Sequence, residues 1–136
     1  MTRENSRTPT EAELRILKVL WRKGPATARG VLEILEDQAG GKVGYTTVLK
    51  MLQIMEKKEL VSVDRSERSH VYSPRVAETP TLRQAVSEFV DRTFGGDPAG
   101  LLVHLVRDGR LDERSLEELE RSIELLRRSE EEQEDR

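Results

Sequence analysis

The chain has 136 residues, enough for one or two small domains, and its 35% hydrophobic and 36% charged residues, with a net charge of -3, suit an α-rich protein that folds in water. It has no cysteine, which excludes disulfides, thiolate metal sites and cysteine nucleophiles, and His70 and His104 are the only imidazoles. No apolar run approaches the roughly 18 residues of a membrane span, and the opening MTRENSRTPT lacks the apolar stretch of a signal peptide, so a cytoplasmic protein with no membrane partner is expected.

Residues 1–9 read as a disordered arm. The first helix is announced by Thr10 with Glu13 three positions on, a capping box, and its inward stripe is Leu14, Leu17, Leu20 and Trp21. Gly24-Pro25 stops it, because glycine takes the left-handed cap and proline cannot continue the helix. Thr27 caps a second helix, with Val31, Ile34 and Leu35 inside, which ends before Gly40-Gly41. Its free amides, with Arg29 in the first turn, suit a backbone phosphate. A capped helix without that role is the plainer alternative. Gly30 inside this helix costs about 1 kcal/mol relative to alanine, which points to close packing.

The connector QAGGKVG leads to a third helix from Tyr45 to Lys58. Val48, Met51, Leu52 and Met55 recur at helical spacing on one stripe, and Thr46, Thr47, Lys50, Gln53 and Lys57 occupy the opposite face. The small hydroxyls at its start let a backbone approach a groove, and threonine can bond a base edge or pack its methyl on thymine. Tyr45 stands at the mouth of this helix. After Leu60 the period changes to alternation, with Val61, Val63 and then Val71 expected to face one way. Between them lies DRSERS, where Arg65 and Arg68, beside Ser66, Ser69 and His70, form a basic tip suited to phosphates. A solvated hairpin kept soluble by its arginines is the alternative. Residues 10–75 thus spell helix, helix, helix, hairpin, a winged helix-turn-helix. The charge agrees: residues 1–80 hold 14 Lys+Arg against 11 Asp+Glu, whereas residues 81–136 hold 9 against 15.

Beyond Pro74, VAETPT reads as a linker within a helical region over 76–129. Leu82, Ala85, Val86, Phe89, Val90 and Phe94 mark one amphipathic helix, ended by Gly95-Gly96. Asp97-Pro98 opens a second, with Leu101, Leu102, Leu105 and Val106 on its apolar side. Asp112 opens a third, with Leu116, Leu119, Ile123 and Leu126. Residues 130–136 read as an acidic, frayed tail. The fold class is therefore mainly α with a small β-hairpin: a winged helix-turn-helix DNA-binding domain plus a C-terminal three-helix dimerisation region. Three helices in fewer than 60 residues bury too little surface to stand alone, so Leu82, Val86, Phe89, Val90, Phe94, Leu101, Leu102, Leu105, Leu116, Leu119, Ile123 and Leu126 are expected to meet a second copy. Packing on the chain's own N-terminal domain is the alternative.

TPTEAELRILKVLWRKGPATARGVLEIL and YTTVLKMLQIMEKKELVSVDRSERSHVYSP resemble the penicillinase repressor family of the BlaI/MecI type over nearly the whole chain. The most specific stretches are LWRKGPAT, YTTV, MEKKELV and HVYSP. The resemblance implies a dimeric winged-helix transcriptional repressor that sits on an inverted-repeat operator in double-stranded DNA and blocks transcription, with no cofactor. The family's DNA-reading positions fall on Thr46, Thr47 and Lys50, with Tyr45 at the helix entrance and Arg65 and Arg68 in the wing; its dimerisation domain maps to residues 81–129. In antibiotic-resistance members a proteolytic switch, with a sensor protease as partner, cleaves between Asn and Phe. That bond maps to His104-Leu105, where both residues depart from the pattern. The cysteine-rich motif of copper-responsive relatives has no counterpart. Two rival classes stand beside this reading: a winged-helix protein-association module without specific DNA binding, and a metal hydrolase built on Asp64, Glu67 and His70, which lacks a second histidine.

Overall fold

The computed structural model describes residues 8–135; of the arm expected over residues 1–9, residues 1–7 lie outside the described residues. Local side-chain chemistry sets most element ends. α1 (Glu11–Lys23) opens with the predicted capping box: Thr10 Oγ1 accepts the Glu13 N–H at 3.2 Å, and Glu13 Oε1 accepts the Thr10 N–H at 2.8 Å. Gly24 closes it at φ 94°. Thr27, at the end of the two-residue strand β1 (Ala26–Thr27), caps α2 (Ala28–Ala39) by accepting the Gly30 N–H at 3.1 Å. α3 (Tyr45–Lys57) starts at Gly44 without a side-chain cap and ends in a Schellman motif. There the Leu60 N–H meets the Met55 carbonyl at 2.9 Å and the Glu59 N–H meets that of Glu56 at 3.0 Å, which turns Glu59 left-handed at φ 63°.

The hairpin strands are β2 (Val61–Asp64) and β3 (Val71–Pro74), and the sheet runs β1-β3-β2, antiparallel throughout. β1 adds a third strand to the expected hairpin; two residues are too few for alternation to announce. The register pairs Val61 with Pro74, Val63 with Tyr72 and Asp64 with Val71. Directly opposed residues share a face, so Tyr72, only 4% exposed, joins Val61 and Val63 inward. Val71, expected on that side, lies with Asp64 on the other. The even number of residues between the strands moves the inward set from odd to even positions, which alternation carried across the turn does not register.

The core joins Ile16, Leu17 and Leu20 of α1, Val31 and Leu32 of α2, Val48, Leu52 and Met55 of α3, and Leu60, Val61 and Tyr72. Each such aliphatic side chain, fully buried, contributes about 1.5–3 kcal/mol. Trp21 is half-buried against this cluster, and its indole N–H donates to the Val76 carbonyl at 3.0 Å. At the edge of the core lies an ion pair. Lys58 Nζ stands 2.6 Å from Glu13 Oε1, with the two side chains only 8% and 6% exposed. Lys58 also donates to the Thr8 carbonyl at 3.4 Å, and Glu13 keeps its capping bond, so both charges are satisfied.

α4 (Glu78–Thr93) begins inside the stretch read as a linker. Pro80 falls in its first turn, where the missing N–H has no helical partner to lose, and the Thr81 hydroxyl donates to the Ala77 carbonyl at 2.6 Å. Thr8, within the arm expected to be disordered, is buried, donates to Glu88 at 2.6 Å and accepts from Gln84 at 3.0 Å. Such contacts carry the first compact unit through Glu88, beyond the expected boundary at 75/76, and the second comprises the described residues from Phe89. In that unit Asp97, capping α5 (Pro98–Arg107), accepts the Ala99 N–H at 3.1 Å, and Asp112, capping α6 (Glu113–Glu134), accepts the Ser115 N–H at 2.9 Å. α6 continues through most of the stretch read as a frayed tail, because Glu, Gln and Arg are good helix formers and neither Gly nor Pro interrupts it. No residue of α5 or α6 is buried.

Two stability outcomes follow from these ends. Lys58→Ala strands the Glu13 carboxylate and is expected to lower unfolding free energy by about 3 kcal/mol in urea titrations; a loss below about 1 kcal/mol would mean that the cap alone satisfies Glu13. Glu59→Gly removes a Cβ from a left-handed position and is expected to raise stability by about 1 kcal/mol, read as a higher urea midpoint at unchanged slope.

Candidate nucleic-acid interface

Val48, Leu52 and Met55 are completely buried, which fixes the opposite face of α3 outward. Tyr45, Thr46, Thr47, Lys50, Gln53 and Lys57 are all exposed, so the face expected to read DNA forms a largely polar surface along the helix, with Ile54, 42% exposed, set among them. Thr27 is engaged twice: it caps α2 and pairs with Val71 of β3. The sheet thereby sets the start of α2 beside the hairpin, across a cleft of about 700 Å³. Thr27, Arg29 and Gly30 line one wall and Arg65, Arg68 and His70 another, with Tyr45 and Gln53 between them. Arg29 lies over the Tyr45 ring, 5.0 Å from its centroid, a cation–π contact that holds the guanidinium at the helix mouth.

The two hairpin arginines are not equivalent. Arg65 Nη2 donates to Glu56 Oε1 of α3 at 2.6 Å, whereas Arg68 makes no ion pair among the described residues. The hydrogen bond from Arg65 holds the Glu56 carboxyl below its ordinary pKa, and the charges of Arg65 and His70 add to this. Asp64 accepts the Ser66 N–H at 2.9 Å, fixing the start of the turn, and bonding to Ser66 holds its carboxyl below the usual range. Burial pushes the Tyr72 phenol above its ordinary value. Glu33, Leu49 and Ser69 also line the cleft. Ser69 belongs to the basic tip read from the sequence, whereas Glu33, Leu49 and Glu56 are not legible there because their place beside the hairpin depends on α2, α3 and the wing being brought together by folding. Among the described residues no three His, Asp or Glu side chains converge to hold a metal ion.

Among the expected dimer contacts, Val86, Phe89, Leu102, Ile123 and Leu126 are exposed, Leu126 by 62%. Leu82, Phe94, Leu101, Leu105, Leu116 and Leu119 are half-buried. Val90 differs from expectation: at 7% exposure it packs within its own chain and offers a partner little surface. Val106, on the expected apolar side of α5, is exposed as well, as are Val103 and Leu125, which lie outside the stripes that three-and-four spacing selects. His104 is exposed, its ring 5.5 Å from that of Phe94, and Leu105 is half-buried.

The sequence profile of the penicillinase repressor family matches residues 9–125. The chain belongs to that family. It is similar to the penicillinase repressor of Staphylococcus aureus, 24% identical over 108 residues, which cover 79% of this chain and 84% of that protein. It is also similar to the transcriptional regulator BlaI of Mycobacterium tuberculosis (strain CDC 1551 / Oshkosh), 33% identical over 117 residues, 81% of this chain and 83% of that one. The penicillinase repressor of Bacillus licheniformis is 22% identical over 115 residues, 85% and 88% of the two chains. The family is one of transcriptional repressors and not of enzymes. No described helix is long and apolar enough to cross a membrane.

In this repressor, protein packing alone does not require glycine at position 30. A Cβ there would meet Thr27 Oγ1 at 3.5 Å and the Ala26 Cβ at 3.6 Å, ordinary contacts rather than the close approach expected from the sequence. Gly30→Ala is therefore expected to stabilise the repressor by about 0.5–1 kcal/mol, measured by urea unfolding. A loss of stability would contradict these contacts.

Proposed function

We propose that this repressor binds, as a homodimer, an inverted-repeat operator in double-stranded DNA and blocks transcription by competing with RNA polymerase. One observation carries the reading: the whole polar face of α3 is exposed and flanks a cleft lined by Arg29, Arg68 and His70. In this reading Thr46 and Thr47 touch base edges. Lys50, Gln53, Lys57 and Arg68 position the protein on phosphates and edges, and the start of α2 at Thr27 and Arg29, with Tyr45, meets the backbone. The two recognition helices of a dimer would meet major-groove faces about 34 Å apart, one turn of DNA.

The dimer is supported by α5 and α6, which bury no residue while Leu102, Ile123 and Leu126 stand exposed. Apolar side chains in that density gain most from a symmetric partner. The residues from 76 to 129 would form the dimerisation region, without Val90 as a principal contact. A sensor protease belongs to the reading only by analogy with resistance members, since His104-Leu105 lacks their Asn-Phe pair.

The test is a titration of the full chain against duplex DNA from its own promoter and a scrambled duplex, over a salt series, with stoichiometry. Two chains per site, lost on scrambling, and a steep salt dependence are expected. Arg68→Ala is expected to weaken binding to all sequences and to reduce the salt slope by about 1 per lost phosphate contact. Weak, salt-insensitive binding to both duplexes would favour the protein-association module instead.

A further inference from the structure

We infer that Glu56 is the positioning residue of the wing, its carboxylate holding Arg65 at the base of the β2–β3 hairpin so that Arg68 is left as the wing's phosphate contact. This rests on the DNA-binding reading above. Arg65 is the first residue beyond β2, and its guanidinium reaches back nine positions to Glu56 in the last two turns of α3, at 2.6 Å. Charge-assisted bonds of this length fix geometry as well as charge. The next residue is fixed too, because the Asp64 carboxylate accepts the Ser66 N–H at 2.9 Å. The start of the turn is therefore tied to the recognition helix on one side and to its own strand on the other. Its far end, with Arg68, carries no such tie among the described residues.

Two consequences separate this arrangement from a pair of equal phosphate ligands. An arginine already paired with a carboxylate carries little net charge to a phosphate, so removing it releases few additional counterions from the DNA. The pair itself is largely open to water, with side chains 56% and 33% exposed, and such pairs contribute little to folding stability. What it sets is the direction in which the hairpin stands from α3.

The experiment titrates a labelled promoter duplex with the full-length protein, its Glu56→Gln, Arg65→Ala and Arg68→Ala variants and the Glu56→Gln/Arg65→Ala double, over a salt series, with urea unfolding of each. Glu56→Gln and Arg65→Ala are each expected to weaken binding about five-fold per wing at an unchanged salt slope, with the double no weaker than either single. Arg68→Ala is expected to lower the slope by about 1 instead. The inference is overturned if Arg65→Ala lowers the slope as Arg68→Ala does, or if Glu56→Gln tightens binding, which would make the carboxylate a competitor of phosphate for Arg65. Either result, with the unmodified protein still binding, leaves the DNA-binding reading standing; no binding by the unmodified protein removes both.

Discussion

Tyr72 is bound on both sides. As the middle strand, β3 pairs through this residue with Ala26 of β1 and Val63 of β2, while the ring is almost completely buried in the core. Paired strands stand about 4.8 Å apart, so the hairpin cannot swing away from the start of α2 without breaking that ladder. Thr27 transmits the constraint directly, being a β1 residue and the cap of α2 at once. The cleft walls are therefore set first by backbone pairing and an apolar anchor, and of the exposed cations standing on them only Arg65, through Glu56, is tied to the recognition helix.

The recognition helix is fastened asymmetrically. Its C-terminal end is held by the Schellman bonds and by Lys58, whose ammonium lies in the buried pair with Glu13. Its N-terminal end begins at Gly44 with no side-chain cap, and there Thr46 and Thr47 are exposed. A helix anchored by its tail and core stripe presents its first turn to solvent with the orphan amides unclaimed by side chains. Glu13 connects the two ends of this design: the same carboxylate starts α1 and secures the end of α3, forty-five residues away in sequence.

What the sequence reveals here depends on how local the cause is. Thr10 with Glu13, Thr27, Asp97-Pro98 and Asp112 each announce a helix start through bonds spanning two or three residues, and each does cap a helix. The polar face of α3 is legible for the same reason, since periodicity is a property of the segment itself. β1 is not, because two residues become a strand only when β3 lies alongside. The inward turn of Tyr72 in place of Val71 depends on the register across the hairpin, and the Lys58–Glu13 and Arg65–Glu56 pairs depend on elements brought together by folding. Pro80 reads as a breaker until the residues before it are seen to start α4, which places the proline where a helix tolerates it.

Trp21 is the chain's single tryptophan, and both tyrosines, Tyr45 and Tyr72, also belong to the first compact unit, whereas the second holds only phenylalanines among its aromatic residues. The indole is half-buried and bonded to the carbonyl of Val76, just before α4. Intrinsic fluorescence of the unlabelled protein therefore reports the first unit alone, and in particular whether the segment leaving β3 stays docked on α1. Far-ultraviolet circular dichroism weighs the helices of both units together. Comparing the two signals separates melting of the winged-helix unit from melting of α5 and α6 without any added probe.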